Sequence, residues 1–537
     1  MNSKQLKKYG RILASIIFCI FSLEQKVVAQ ADFRNDNYIA VKNLWKDTNS
    51  KSALYKLPLL PEKKVDSIVL SMLPILNKIQ WVQDHPYNWN DGSMVPSKGL
   101  QHFTRVGVNA QWKFLEAQFA PEIVLAQNQN FEEFPLDMDQ IHWKDYYRFY
   151  NLIELPNRMG AKQYSQFLLG QSFLKLHYKK LAVSLSTENK WWGPGQRNAL
   201  FLSTNAAGFP HVSFASEQPL NTKIGKFEFE IISGKIYNGG WTPASPFKTF
   251  NGNKLYAPKP YNDRWISGFT LSYQPKWIPN LTVGLEQMYM QYYKEMNRWQ
   301  DFFPVKNIFT SIPDDRINKP ILLTGTYFTY EMPEADVIMY GEFGWNLNNT
   351  SFRNWIIQPD KGFASILGVK KILRSKHSYY WEILGEMSQL QLLTRAEQFT
   401  NAEPPSWYLG ANVRQGFTND GQLLGAGVGP GGSSQTVEFN WREKQNRIGI
   451  AVERRVHNND FYEYTFVGSQ DFRRFYVDFA TTLKLDWQYK KWQFGPRLSY
   501  IRTNNFNWWL YQPQDIYFIT GRDVNQIVGQ LNFQYKL

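Results

Sequence analysis

The chain has 537 residues, 16% of them aromatic, with a formal net charge of +14 and a mean hydropathy of −0.46. Its one cysteine, Cys19, lies in an apolar run near the N-terminus, so a mature chain has no disulfide, no thiol nucleophile and no thiolate metal site. Past that run no apolar stretch is long enough for a membrane helix, and the aromatics are spread along the whole length instead of being gathered into Leu, Ile and Val core runs.

Residues 1–29 read as a cleaved signal peptide. Lys4, Lys7, Lys8 and Arg11 precede an apolar core from Ile12 to Leu23, and Val27 and Ala29 offer a small-residue cleavage site. Removing the five basic residues and one acid of 1–29 lowers the net charge from +14 to +10. For an exported basic protein, anionic polysaccharide and lipid headgroups are commoner partners than nucleic acid.

Residues 30–98 read as a helical segment on the periplasmic side. Within it Val65, Ile68, Val69, Met72, Leu73 and Leu76 fall at helical spacing, with Pro61 at a helix start and Pro74 as a kink or break. Its role is left open between a soluble cap and a plug of the barrel's inner mouth.

Residues 99–537 read as a transmembrane β-barrel with a helical insertion at about 128–165. Between Phe475 and Lys490 the odd positions Val477, Phe479, Leu483, Leu485, Trp487 and Tyr489 oppose Asp478, Lys484, Asp486 and Gln488. That alternation is far longer than the ~5–6 residues of an average strand. The same split sets Val106, Val108 and Trp112 against Arg105, Asn109 and Gln111, and Phe227, Phe229 and Ile231 against Glu228 and Glu230.

About 18 antiparallel strands are expected. The first fall near 99–112, 114–126, 170–178, 181–189, 211–218, 224–233, 265–273, 281–291 and 320–331. The rest fall near 335–345, 362–372, 377–388, 406–415, 435–441, 447–456, 473–489, 491–504 and 526–537. The last of these ends in an alternating strand, the segment through which barrel assembly machinery would act. Outer-membrane lipid faces one side of each strand and the lumen the other. A secreted sandwich or propeller is the rival, and no blade-length repeat supports the latter.

The segments WNDGSMVPSKGLQ (89–101), APEIVLAQN (120–128), ENKWWGPGQRNALFLSTNAAGFPHVSF (188–214), RQGFTNDGQLLGAGVGPGGSSQ (414–435) and ERRVHNND (453–460) occur in an order and spacing that resembles the capsule assembly family of Wzi type. The resemblance implies an outer-membrane barrel with a periplasmic helical bundle and a lectin-like role, holding capsular or extracellular polysaccharide at the cell surface. It does not identify the polymer.

Candidate polysaccharide contacts are Glu188, Trp191, Trp192, Arg197 and Asn205, joined by Arg414, Gln422, Arg454 and Arg455. Tryptophan rings stack on sugar faces, and the polar groups orient hydroxyls or an acidic group. Two plainer readings stand beside this one. The tryptophans also suit an interfacial belt, and Gly193, Pro194 and Gly195 suit a structural turn. By strand count the 188–210 connection follows an even strand and faces the periplasm.

The alternating Gly425, Gly427 and Gly429 suit a bent barrel strand or close approach of a ligand, since neither a Walker lysine nor a following helix is present. The seven histidines show no metal-type spacing. The reading is therefore a non-catalytic monomer with no cofactor and no metal. A porin-type channel for small sugars or ions and an outer-membrane hydrolase acting on lipid or glycan are the alternatives.

Overall fold

The computed structural model describes residues 68–87, 89–243, 245–296, 299–302, 320–346, 356–357, 362–375, 378–392, 406–466, 473–510 and 521–536. The signal peptide, Cys19 and the part of the helical segment before residue 68 lie outside the described residues.

Eighteen antiparallel strands form one closed barrel. They are β1 (Val69–Val82), β2 (Gly99–Trp112), β3 (Leu115–Phe119 continuing as Glu122–Ala126), β4 (Tyr164–Leu168 continuing as Phe173–Tyr178), β5 (Leu181–Ser186) and β6 (His211–Ser216 with Leu220–Asn221). Next come β7 (Gly225–Ile236), β8 (Arg264–Pro275), β9 (Leu281–Tyr292), β10 (Ile321–Met332), β11 (Val337–Asn346) and β12 (Phe363–Arg374). The circuit ends with β13 (Tyr379–Gln389), β14 (Ser433–Glu443), β15 (Asn446–Val456), β16 (Val477–Tyr489), β17 (Trp492–Asn504) and β18 (Val524–Tyr535). Pairing of β1 with β18, from Ile75↔Tyr535 to Val82↔Val528, closes it. Closure leaves no sheet edge to hydrocarbon, which open sheets cannot avoid.

The alternation read from the sequence is the division between lipid and lumen. On β16, Phe479, Leu483, Leu485 and Trp487 are exposed on the outer wall, while Asp478 and Asp486 are buried inside. A basic residue on the outer wall at mid-bilayer would cost roughly 2–4 kcal/mol. The lumen instead holds Lys370–Glu382 at 3.1 Å, Arg447–Asp486 at 2.6 Å and Lys484–Glu438 at 2.7 Å.

One end of the barrel has short turns and the other has long connections. Four tight turns place a lysine in the left-handed region, with φ of 50° at Lys113, 54° at Lys179, 53° at Lys444 and 54° at Lys490. In barrels of this kind the short turns face the periplasm and the long connections face outward.

Two expectations fail, and their errors cancel in the strand count. The helix expected over Val65–Leu76 is, from Val69 on, strand β1. Pro74 sits in a bulge between Leu73↔Gly107 and Leu76↔Arg105, where its missing N–H interrupts no ladder bond. The inner face of β1 carries Val69, Ser71 and Leu73 before the bulge and Leu76, Lys78 and Gln80 after it, with Leu76 packed among Met94, Val95 and Phe103. The bulge moves the inward parity from odd to even positions, which breaks the period of two. The strand expected over 406–415 is absent from the described barrel: this stretch lies inside the long connection between β13 and β14.

Strands β5 and β6 have ladders of six residues facing each other, about half the length of most others. Between them the chain turns into the lumen. Helix α1 (Gln140–Tyr150), in the connection after β3, buries Trp143, Tyr146, Tyr147 and Phe149. It packs on the short helix α2 (Asn459–Thr465), with Phe149 and Phe461 edge to face at 5.5 Å.

Candidate functional site

The tryptophan block follows β5, the fifth strand, so the missed β1 reverses its expected side. It belongs to the long-connection end. From there it dives into the lumen and crosses to several walls. Glu342 of β11 accepts from the backbone N–H of Gly195 at 2.8 Å and of Leu200 at 2.9 Å. Glu386 of β13 accepts from the N–H of Gln196, Arg197 and Asn198 at 2.6, 2.9 and 2.9 Å. Two wall carboxylates thus satisfy five backbone donors of one loop that burial would otherwise leave unpaired.

The glycines are needed for that approach. Gly193 has φ of 91°, and a Cβ there would lie 2.3 Å from Glu342 Oε1. At Gly195 a Cβ would meet the Asn198 carbonyl oxygen at 2.0 Å. Trp192 is buried and donates its Nε1–H to Glu230 at 3.0 Å, while half-buried Trp191 donates to the Gly195 carbonyl at 3.0 Å. Neither tryptophan lies in an interfacial belt. Glu188 is buried beside Ser186, whose hydroxyl donates to it at 3.2 Å, and burial, opposed by Lys190, raises its carboxyl above the usual range.

Arg197 forms a two-pronged pair with Glu453, Nε to Oε2 at 2.7 Å and Nη2 to Oε1 at 3.1 Å. Its guanidinium lies 4.1 Å from the ring centroid of Trp89, and that of Arg455 lies 4.6 Å from the same centroid. The ring ties the tryptophan block to the first long connection.

The glycine-rich block is neither a barrel strand nor a bend. It contains a small hairpin, Thr418–Asn419 with Gln422–Leu423, and lies buried against the tryptophan block. Ser203 donates to the Leu424 and Gly425 carbonyls, and the Val428 N–H donates to Asn198. A Cβ on Gly425 would sit 2.4 Å from the Tyr408 hydroxyl. The glycines let two lumenal segments touch backbone to backbone.

The long connections, with parts of these two segments, enclose a partly open cavity of about 210 Å³. Three of the nine sequence-derived candidates, Asn205, Gln422 and Arg455, line it. Glu188, Trp191, Trp192 and Arg197 do not line it, and they hold the plug. Arg414 bonds the Asn151 and Ala257 carbonyls elsewhere in the connections. Arg454 shares the outward-facing parity of Ile450 and Val452 and pairs with Gln435 at 3.0 Å near the rim.

The rest of the wall was not singled out from sequence. Phe131, Tyr150, Tyr476, Phe506 and Trp508 supply rings, and His85, Asp91, His457 and Asn507 supply polar groups. His457 stacks on Tyr476 at 3.9 Å between centroids and bonds Asp478 at 2.6 Å. Burial outweighs that carboxylate and holds the His457 imidazole below its usual range. Within the wall segment Asn504–Trp509, Asn505, Asn507 and Trp508 all have positive φ, near 51°, 55° and 58°. Such backbone clusters at ligand clamps.

Residues 88–304 match the family model described as capsule assembly protein Wzi. The match takes in the 89–101, 120–128 and 188–214 segments and ends before the glycine-rich and 453–460 segments. Among solved structures, the outer-membrane protein Wzi of Escherichia coli, reported as a carbohydrate-binding β-barrel involved in group 1 capsule assembly, is 12% identical at a TM-score of 0.54. The alignment covers 86% of this chain and 84% of that one. OccAB2 of Acinetobacter baumannii is 9% identical over 88% of this chain and 98% of its own, at a TM-score of 0.40. No curated protein matches. The chain therefore resembles the capsule assembly family of Wzi type, by its family model across residues 88–304 and as an outer-membrane β-barrel across most of its length.

Proposed function

We propose that this barrel binds exported capsular or extracellular polysaccharide at the outer face of the cell and aids capsule assembly, without catalysing a reaction. The observation that carries the reading is the position of the cavity. It lies among the long connections and borders loops that wall carboxylates hold across the lumen. A partly open cavity bordered by loops anchored across the lumen suits retention of a polymer, while passage of a solute needs a continuous path. Aromatic faces with a few convergent polar groups are the usual makings of a sugar site. The carbohydrate binding reported for the Escherichia coli barrel of like fold agrees with this. We place the protein in the outer membrane as a monomer, assembled through its C-terminal strand.

The test is binding of the cells' own purified extracellular polymer to the full-length protein in detergent. Saturable binding that falls at least tenfold on Tyr476→Ala, with the barrel's heat-resistant mobility retained, is expected. Absence of binding contradicts the proposal. Steady conductance of the wild type in planar bilayers would favour the porin reading.

A further inference from the structure

Positive charge and aromatic rings recur together at the short-turn end of the barrel. Lys113, Lys179, Lys223, Lys276, Lys444 and Lys490 each stand in a different turn, after β2, β4, β6, β8, β14 and β16, and all are exposed. None of them forms an ion pair among the described residues. The acids of the same set of turns are mostly engaged. Glu217 bonds His177 at 2.6 Å and Asp336 pairs with Arg374 at 2.9 Å, which leaves Glu334 exposed. Among the described residues this rim is therefore basic.

The backbone suggests that the lysines are there for their charge. Lys113, Lys179, Lys444 and Lys490 occupy the left-handed region, where asparagine and glycine are the residues of lowest cost. The small hairpin in the outward connection after β7 turns on Asn251 and Gly252 with the same sign of φ. Lysine recurring at four turns that asparagine would suit better is a choice that the turn geometry does not explain.

The rings set the depth of these amines. Trp112, Tyr178, Trp277 and Tyr489 adjoin the turn lysines in sequence and are exposed on the outer wall. The Lys113 Nζ lies 5.5 Å from the Trp112 ring centroid, that of Lys179 5.4 Å from Tyr178, and that of Lys490 5.3 Å from Tyr489. Exposed Trp and Tyr at the end of an apolar wall sit at the level of lipid headgroups. An amine over such a ring is thereby held at the depth of the phosphates, with its stem along the apolar surface.

We infer that this rim is a binding surface for anionic phospholipid in the leaflet facing the periplasm, with the turn lysines receiving the phosphate and the neighbouring rings seating the headgroup. The surface lies at the opposite end of the barrel from the long connections, so the inference is independent of the polysaccharide reading. Net charge is what separates its ligand from a zwitterionic lipid, because both carry a phosphate but only one leaves it uncompensated.

The experiment reconstitutes the full-length protein into vesicles of phosphatidylcholine and of phosphatidylcholine mixed with phosphatidylglycerol, with one lipid or the other brominated on its acyl chains. Bromine quenches tryptophan fluorescence on contact, so quenching at equal mole fraction compares how often each lipid occupies the wall. The comparison is repeated in about 1 M salt, which screens exposed charge. It is repeated again on the variant Lys113→Asn, Lys179→Asn, Lys444→Asn, Lys490→Asn, which removes the charges and suits the left-handed backbone, with heat-resistant mobility reporting that it is folded. The wild type is expected to favour phosphatidylglycerol about twofold or more. High salt and the variant are both expected to abolish that preference. Equal quenching of the wild type by the two lipids overturns the inference. A preference that persists in high salt or in the folded variant overturns it too, since the anionic lipid is then held by something other than these lysines.

Discussion

Arg197, marked as a ligand contact from sequence, is engaged within the fold. Its pair with Glu453 is short and two-pronged, on a carboxylate buried in the lumen. Removing the arginine leaves Glu453 buried with only Tyr87 and Thr436 as donors, a change that costs about 3–5 kcal/mol in comparable buried pairs. Arg197→Ala is therefore expected to lower the temperature at which the barrel loses its heat-resistant mobility, and Arg197→Lys to lower it less. Unchanged thermal behaviour with polymer binding lost would make Arg197 a sugar contact after all. Asn205 and Gln422 differ from it in reaching the cavity wall, although both also spend hydrogen bonds on the backbone around them.

At the scale of elements, the plug is held by backbone donors facing wall carboxylates. Glu386 takes three of these N–H groups, and each loses its acceptor in Glu386→Ala, at roughly 1–3 kcal/mol apiece if left unpaired. The 187–210 connection should then detach on its β13 side. The expected result is conductance in planar bilayers for the variant and none for the wild type. A silent variant would mean that other contacts, such as those of Glu342, suffice to seal the lumen. The strands were legible because lipid on one side and charged lumen on the other force a period of two, as on β16 and β18. Strand β1 was not, because the bulge at Pro74 shifts its inward parity midway, so neither half is long enough to show the period. The 406–415 stretch misled for a related reason: it is apolar and buried, but against other loops. The candidate site was legible only in part. Its wall is assembled from connections hundreds of residues apart, and nothing local to Tyr150, Tyr476 or Trp508 says that they meet.

At the scale of the molecule, the barrel is a wall around a packed interior. Aromatic residues serve two separate ends. Those such as Trp487 and Phe479 stand on the lipid face, while Trp143, Trp407, Phe461 and Trp508 fill the space among the inward connections. The composition that first set this chain apart from a soluble enzyme thus reflects both an outer wall in lipid and a core made by loops. What that construction leaves among the long connections is a partly open cavity, the site proposed to hold a polymer. The measurement that tests this most directly is the partition of extracellular polysaccharide between cells and medium in a strain lacking the gene. Unchanged total polymer with a shift from cells into medium, restored by the wild-type gene, is expected. An unchanged partition would contradict it.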